Sequence, residues 1–350
     1  MTLDEALAQI RPLDADVSAQ VQARLNRLTK PLGSLGRLEE MAVRYATITG
    51  EVKPNLPRGA VFTFAADHGV AIEGVSAYPR EVTPQMVLNF LRGGAGVNVL
   101  ARHVGVDVRV VDIGVAYEFG AVPGLIQKRV MAGTKNLLVE PAMGREQARE
   151  ALQIGVDLAT EASREGIGLI GTGDMGIGNT TPSAAITAVM TGRPVAEVTG
   201  RGTGIDEAAH AHKVMVIQEA LDRHRPDRTD ALDTLAKVGG LEIGGLAGLM
   251  LGAAAARVPV VLDGFIAGAA ALIAVGLQPR CRDYLIASHR SVERGHQAIL
   301  DHLGLKPLFD LDLRLGEGTG ACLGMGLVQA SIKILTEMAT FDEAGVSERD

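Results

Sequence analysis

The 350-residue chain contains no tryptophan, and its other aromatic side chains are limited to seven phenylalanines and four tyrosines. Few rings are therefore available as stacking platforms for nucleic-acid bases. Basic residues are also fewer than acidic ones. The chain has 34 lysines and arginines and 41 aspartates and glutamates, which gives a formal net charge of -7. A protein that coats nucleic acid is normally basic. The composition argues against nucleic acid as a partner.

Cysteine is nearly absent. Only Cys281 and Cys322 occur, which excludes a disulfide framework and a cysteine-rich zinc cluster and suits a reducing compartment. The N-terminal segment MTLDEALAQI is acidic and lacks the basic start of a signal peptide. Uncharged apolar stretches such as 243–256 and 264–279 fall short of the roughly 18 residues that a membrane span requires. We expect a cytoplasmic protein without a membrane span.

Apolar residues are plentiful, at 47% of the chain, and 43 glycines are spread along it. Residues 1–50 carry apolar side chains at helical spacing, and residues 321–340 repeat this pattern. The proline-containing segment 51–58 is typical of a linker. The pattern predicts a small helical domain, formed by residues 1–50 together with 321–350. A large domain then covers residues 51–320.

Five short runs within the large domain are rich in β-branched residues, and segments long enough for helices separate them. This alternation predicts an α/β fold with a parallel sheet and crossover helices. The runs are Ala60–Ala66, Val106–Ile113, Ile167–Ile170, Val258–Leu262 and Tyr284–Ala287. Polar or glycine residues follow each run, as expected where ligands bind outside the carboxyl ends of strands. Turn chemistry alone also places such residues there, but five together favour one shared pocket.

The third run leads into a glycine-rich segment, Gly171-Thr-Gly173-Asp-Met-Gly176, which matches the GxGxxG pattern of dinucleotide-binding folds. Taken literally, the match predicts an NAD-dependent dehydrogenase. However, the acid about twenty residues on, Glu197, follows a turn rather than a second strand. We place the next helix start later, with Thr181 as N-cap and Pro182 as first residue. A loop that leads to a helix N-terminus favours a phosphate site without a dinucleotide; a strand–helix turn with no ligand is the alternative.

Two further segments are candidates for the same pocket. Glu317 lies between Gly316 and Gly318, so a ligand can approach its carboxylate without meeting neighbouring side chains. A solvated turn glutamate is the ordinary alternative. The segment 74–86 combines two prolines with Tyr78 and is suited to the wall of a flat apolar slot, although it is equally compatible with a surface loop.

Metal binding has little support in the sequence. His210 and His212, like His289 and His296, lack the carboxylate spacing of known zinc or iron motifs. A metallohydrolase built on Asp67, His68 and Asp263 stays open as a minor alternative. We therefore predict no catalytic metal.

Taken in order, several motifs resemble the nicotinate-nucleotide–dimethylbenzimidazole phosphoribosyltransferase family along nearly the whole chain. They are TKPLGSLGRLE at 29–39, ADHGV at 66–70, GDMGIGNTTP at 173–182, LDGF at 262–265 and RLGEG at 314–318. The resemblance implies a Rossmann-like parallel sheet flanked by helices, a small helical domain from both termini, and a homodimer. It also implies a step of cobalamin nucleotide-loop assembly: nicotinate mononucleotide and 5,6-dimethylbenzimidazole would give α-ribazole 5′-phosphate and nicotinate. No metal or organic cofactor is implied.

The resemblance also assigns site residues. Glu317 would be the general base, and Asp174 a second carboxylate close to the ribose. The substrate-binding residues would be Tyr78, Gln85, Met86, Gly173, Gly176, Gly178, Asn179, Lys213, Ser291, Arg314 and Leu315. Of these, Gln85, Met86 and Leu315 would line the benzimidazole slot, with Tyr78 nearby. Two positions depart from the family pattern, which often has glutamate at Asp174 and a small polar residue at Tyr78.

The chemistry of this reaction requires one carboxylate. Nicotinate leaves as a neutral pyridine nitrogen and needs no general acid, whereas the N–H of the attacking benzimidazole becomes acidic as its other nitrogen bonds to the sugar. A positioned base such as Glu317 contributes about 10²–10⁴-fold to such a step. A dehydrogenase, a non-catalytic sensor of nucleotides or benzimidazoles, and the metallohydrolase named above are the three alternatives.

Overall fold

The computed structural model describes residues 1–347. Its sheet consists of six parallel strands in the order β3-β2-β1-β4-β5-β6. The strands are β1 (Arg58–Ala66), β2 (Asp107–Gly114), β3 (Leu125–Gln127), β4 (Ile167–Met175), β5 (Val260–Leu262) and β6 (Leu285–Ala287). Doubly wound sheets of this order bind ligands outside the carboxyl ends of their strands, where the order reverses. Here that reversal lies between β1 and β4, and the α/β prediction is confirmed.

Helices cover both faces of the sheet. In chain order, the α-helices of residues 1–347 are α1 (Leu3–Gln9), α2 (Ala15–Asn26), α3 (Arg37–Thr49), α4 (Val82–Arg92), α5 (Gly96–Val104), α6 (Arg145–Arg164), α7 (Thr180–Thr191), α8 (Val195–Val198), α9 (Glu207–His224), α10 (Ala231–Val238), α11 (Leu241–Ala255), α12 (Phe265–Leu277), α13 (Arg294–Leu303), α14 (Thr319–Glu337) and α15 (Phe341–Ala344). Short 3₁₀ helices follow β1 and precede β6.

The glycine- and alanine-rich helix α11 is buried between α6 and the sheet. Glycine makes both contacts possible. A Cβ on Gly248 would collide with the carbonyl group of Leu152 in α6, and one on Gly245 would lie 2.6 Å from the ring of Phe64 in β1. The small residues of this segment therefore serve close packing inside the chain.

Helices from both ends of the chain pack together. Val17, Val21 and Leu25 of α2 form an apolar cluster with α3 and with Leu335 of α14. In contrast, α1 packs on α6 and α11. The division into two domains stays a prediction, and residues 348–350 of the predicted helical domain lie outside the described residues.

Helix α14 is long and apolar enough to cross a membrane by length and composition. Of its most apolar window, 56% is buried inside the fold, where the helix contacts α3, α5 and the strands β4 and β5. A mostly buried core helix meets the same two criteria. The contacts of α14 are those of such a core helix.

The glycine-rich segment after Ile170 differs from the prediction. Strand β4 continues through Gly171 and Gly173 to Met175 instead of ending before the glycines. Helix α7 begins at Thr180 with Asn179 as N-cap, so the predicted N-cap Thr181 and first residue Pro182 are wrong. The reason is local: Asn179 already adopts helical dihedral angles (φ -62°, ψ -20°), which closes the first turn two residues earlier. GxGxxG is therefore partly strand here, unlike the loop of a dinucleotide site.

Candidate active site

A cavity of about 300 Å³ opens at the carboxyl ends of β4, β5 and β6. Its walls combine carboxylate, hydroxyl, imidazole and guanidinium groups with a few apolar side chains. Six predicted site residues line it, namely Tyr78, Asp174, Asn179, Ser291, Arg314 and Leu315. The structure thus brings together residues that are up to 237 positions apart in the sequence, the distance from Tyr78 to Leu315.

Glu317 lies in a bend beside this cavity. Three consecutive residues have positive φ angles, 79° at Gly316, 64° at Glu317 and 108° at Gly318. A glutamate in the left-handed region is uncommon and costs energy, a feature that concentrates at functional sites. The carboxylate is 6% exposed, and its Oε2 accepts a hydrogen bond of 3.1 Å from the backbone N–H of Val97 at the start of α5. The bend therefore holds the carboxylate in one place.

Asp263, directly after β5, anchors the bend from below. Its carboxylate accepts hydrogen bonds from the backbone N–H groups of Gly318 (3.2 Å), Gly320 (2.7 Å) and Ala321 (3.0 Å). Burial raises the pKa of Asp263 to about 7, although these backbone donors oppose the shift. Asp263 thus caps the N-terminus of α14 and fixes the backbone on both sides of Thr319.

The bend also packs tightly on the sheet. The Thr63 hydroxyl group on β1 donates to the carbonyl oxygen of Glu317 at 2.9 Å. A Cβ on Gly173 of β4 would lie 2.7 Å from the Glu317 carbonyl carbon, and one on Gly318 would lie 2.5 Å from Val61. Glycine at these positions lets the bend contact the strands, so Gly173 acts on Glu317 through packing.

Burial alters the ionisation of both predicted catalytic carboxylates. It raises the pKa of Glu317, against the effect of the Val97 and Gly96 N–H groups. It raises the pKa of Asp174 well above the usual range, with a further contribution from Asp263. Asn179 donates to Asp174 at 2.9 Å, and a Cβ on Gly316 would lie 3.3 Å from both Asp174 oxygens. Asp174 therefore lies directly under the Glu317 bend.

Lys213 lies behind the opposite part of the cavity, next to Thr180 and Gly202 of the wall. Lys213 is fully buried, and its Nζ donates to the hydroxyl group of Thr180, the first residue of α7, at 2.6 Å. Burial lowers the pKa of Lys213 to about 8. Lysine, a threonine hydroxyl group and a helix N-terminus together provide donors for an anion such as phosphate. Nearby, Arg314 donates to the carbonyl oxygen of Gly202 at 3.5 Å, rather than pairing with Glu317.

The remaining predicted residues lie outside the cavity wall. Gly176 packs against Ala66 and His68, and Gly178 adopts a φ of 88° in the turn before α7. Gln85 and Met86 lie on α4, where Gln85 is exposed and Met86 packs partly against the apolar cluster under the Glu317 bend. Their roles stay predictions.

Several residues of the wall were not identified from the sequence. His289 and Glu293, near the end of β6, line the cavity, as does the turn at Gly202 and Thr203. The glycine-rich run Gly200–Gly204 was a usable signal for that turn. The sequence placed His289 in the polar segment 288–291 after the fifth predicted strand, and in a metal pair, but gave it no role in binding.

Two of the five polar strand ends serve turns instead of the cavity. Asp112 accepts from the N–H groups of Gly114 and Val115, and Asp67 accepts from that of Ala116. His68 pairs with buried Glu242 at 2.8 Å. Within residues 1–347, no group of three His, Cys, Asp or Glu side chains is arranged to hold a metal ion.

A larger opening of about 600 Å³ lies between α2, α3 and the β6 edge. Its arginines already form hydrogen bonds across the opening, from α3 to the segments on either side of β6 and α13. Arg37 donates to the carbonyl oxygen of Lys306, and Arg44 donates to that of Arg282. The acids and bases of a reaction converge instead at the smaller cavity, which we take as the active site.

Known proteins resemble this chain over nearly its whole length. A family model described as phosphoribosyltransferase matches residues 10–346. The nicotinate-nucleotide–dimethylbenzimidazole phosphoribosyltransferase of Geobacter sulfurreducens is 63% identical over 348 residues, covering 99% of each chain. The protein of that name from Chloroflexus aggregans is 60% identical, covering 99% of this chain and 98% of the relative. The crystal structure of CobT from Thermus thermophilus superposes with a TM-score of 0.92 at 51% identity, covering 95% of this chain and all of that one.

These similarities extend over nearly the full length of the chain and include every strand and helix that forms the cavity. They favour phosphoribosyl transfer over the dehydrogenase and sensor alternatives. The chain belongs to the nicotinate-nucleotide–dimethylbenzimidazole phosphoribosyltransferase family.

Proposed function

We propose that the chain transfers the phosphoribosyl group of nicotinate mononucleotide to 5,6-dimethylbenzimidazole, with Glu317 as the general base. The products are α-ribazole 5′-phosphate and nicotinate. This reaction is a step of cobalamin nucleotide-loop assembly. The observation that carries the assignment of the base is the strained Glu317 bend beside the cavity.

Glu317 suits proton removal from the benzimidazole. As one ring nitrogen bonds to C1′, the N–H of the other nitrogen becomes strongly acidic and needs an acceptor. The raised pKa of Glu317 makes its carboxylate a stronger base than an exposed glutamate. The Val97 N–H group donates to Oε2, and other lone pairs of the carboxylate remain for the proton. Attack opposite the leaving nicotinate inverts the β-linkage to α.

Asp174 suits the positive charge of the nucleotide. Burial raises the pKa of Asp174, which favours its protonated form while the cavity is empty. A pyridinium ring nearby favours the ionised form and so releases that proton. The resulting carboxylate then stabilises the partial positive charge that the ribose carries in the transition state.

The phosphate group is assigned to the part of the cavity at Thr180. Lys213 lies behind Thr180 and donates to its hydroxyl group, with Ser291 and Arg314 on the adjoining wall. This arrangement fixes one end of the nucleotide, so that its C1′ atom is presented to the base rather than left free to move.

Two further assignments complete the proposal. The chain acts as a homodimer in the cytoplasm, and its two buried, unpaired cysteines, Cys281 and Cys322, are compatible with a reducing compartment. Light scattering after size-exclusion chromatography tests the dimer.

The reaction is tested by incubating the purified protein with nicotinate mononucleotide and a panel of bases, including adenine and phenolic compounds. We expect release of nicotinate and a product with the mass of α-ribazole 5′-phosphate. Ligand binding without nicotinate release would instead indicate a sensor, and a change in the fluorescence of added NADH would indicate a dehydrogenase.

A further inference from the structure

We propose that His289 is a ribose-binding residue, whose Nε2 atom accepts a hydrogen bond from a hydroxyl group of the nucleotide's sugar. His289 is 3% exposed and lines the cavity together with Gly264 and Ser291. The reaction as derived above gives it no role. The inference rests on the proposed function, because it names the part of the substrate that this imidazole recognises.

The position of the imidazole proton follows from two hydrogen bonds. The Ser288 hydroxyl group donates its single hydrogen to the carbonyl oxygen of Asp263 at 3.3 Å. The same hydroxyl oxygen lies 3.0 Å from Nδ1 of His289. With its hydrogen donated to Asp263, this oxygen accepts from Nδ1, so the proposal assigns the ring proton to Nδ1. Burial lowers the pKa of His289 to about 4, which keeps the ring neutral. Its Nε2 is therefore a bare acceptor.

The acceptor is presented to the cavity. Nε2 makes no hydrogen bond within residues 1–347 and is not among the buried polar atoms that lack a partner there. A Cβ on Gly264, a residue of the cavity wall, would lie 3.6 Å from it. A ligand in the cavity can thus reach this nitrogen.

Packing fixes the orientation of the ring. Phe309 stacks on it with 5.8 Å between centroids and 15° between planes. Gly320 of α14 makes a second contact, since a Cβ there would overlap Nδ1 and Cε1 of the imidazole. The backbone N–H of Arg290 also donates to the carbonyl oxygen of Phe309 at 3.1 Å. The ring is held in place before a ligand arrives, which reduces the entropic cost of binding.

The donors of the substrate identify the partner. At neutral pH the phosphate and carboxylate groups of nicotinate mononucleotide are acceptors, and its pyridinium nitrogen carries no hydrogen. The two ribose hydroxyl groups are the donors that remain. With the phosphate at Lys213 and the reacting carbon near Asp174 and Glu317, the sugar lies between these ends.

This contact makes the site selective for ribose over a deoxy sugar. Without the hydroxyl group, the Nε2 lone pair stays buried under the ligand without a donor, which is unfavourable. We expect the wild-type protein to use either the 2′-deoxy or the 3′-deoxy nucleotide with kcat/KM lower by about tenfold.

Two nearly isosteric variants test the contact. His289→Gln retains a carbonyl acceptor near the Nε2 position, whereas His289→Met removes it. One of the two deoxy nucleotides is the poorer substrate of the wild-type protein. In the Met variant, we expect its kcat/KM to differ from that of the ribonucleotide by less than about twofold. The Gln variant should keep most of the wild-type preference for the ribonucleotide. Equal losses of kcat/KM by both variants on all three nucleotides would overturn the proposal.

A second measurement uses the unsubstituted protein and does not depend on folding of a variant. Two-bond ¹H–¹⁵N correlation spectra of ¹⁵N-histidine-labelled protein report the imidazole tautomer. We expect His289 with its proton on Nδ1, and the Nε2–H tautomer would refute the assignment. Absence of nicotinate release by the wild-type protein would instead overturn the proposed function. The tautomer measurement is independent of that result, so the two failures are distinguishable.

Discussion

Replacing Gly173 by alanine moves Glu317 without altering its carboxylate. The added Cβ would overlap the carbonyl oxygen of Glu317, and would lie 2.7 Å from its carbonyl carbon and 2.8 Å from the Thr63 hydroxyl oxygen. Ordinary contacts of a Cβ start at 3.4 Å, so the bend must retreat by at least 0.7 Å, the difference between 3.4 and 2.7 Å. The strand cannot yield instead, because β4 is hydrogen-bonded to β1 on one side and to β5 on the other.

The magnitude follows from this displacement. Misplacing a catalytic group by about 1 Å costs on the order of 10²-fold in rate, or about 2.7 kcal/mol. The hydrogen bond from Thr63 to the Glu317 carbonyl oxygen is lost or lengthened as well, at a cost of about 1 kcal/mol in stability. We therefore expect kcat to fall about a hundredfold, with a smaller change in the KM for the nucleotide.

The assay is steady-state nicotinate release, with the melting temperature as a check on folding. Gly168→Ala is the matched control, since it lies in the same strand and its Cβ would meet only Pro57 at 3.0 Å and the Tyr45 hydroxyl group at 3.4 Å. We expect this control to stay within about threefold of the wild type. A folded Gly173→Ala protein as active as the control would refute the claim that the strand positions the base.

Three other predictions concern charged groups. Burial lowers the pKa of Lys213 to about 8, so its positive charge is lost as pH rises through that value. The KM for the nucleotide should therefore rise over the same pH range. Lys213→Arg stays protonated and should abolish this rise. Because burial raises the pKa of Asp174, the positively charged nucleotide should lower that pKa on binding and so release protons. Calorimetry in two buffers measures this release, and equal release by Asp174→Asn would contradict the assignment. Asp263→Ala leaves three buried N–H groups without an acceptor. Urea unfolding should therefore show a free energy of unfolding lower by roughly 3 kcal/mol or more. An unchanged urea midpoint would disprove the anchoring role of Asp263.

The sheet was largely predictable from the sequence, because buried parallel strands are continuous apolar runs. All five predicted runs became strands, whereas β3, with three residues at the sheet edge, gave no such signal. The end of β4 was misplaced because glycine usually interrupts a strand. Here Gly171 is part of the strand since α14 packs on it, and a Cβ would lie 2.8 Å from the Met325 sulfur atom.

The site was predictable only where one segment carries the whole signal. The Gly316–Gly318 bend is such a segment, and its positive φ angles explain the glycines. The role of His289 was not predicted, because it depends on the hydrogen bond between Ser288 and Asp263, which are 25 residues apart. Likewise, the burial that shifts the pKa of Lys213 arises from tertiary packing and leaves no local pattern.

The central claim is that Glu317 removes the proton that the benzimidazole loses as it bonds to the sugar. Turnover of Glu317→Gln at saturating concentrations of both substrates tests it most directly, since the amide can still accept the Val97 N–H bond but cannot take up a proton. We predict kcat at least about a hundredfold below that of the wild type, with folding and nucleotide affinity unchanged. Turnover close to the wild-type value would contradict the account.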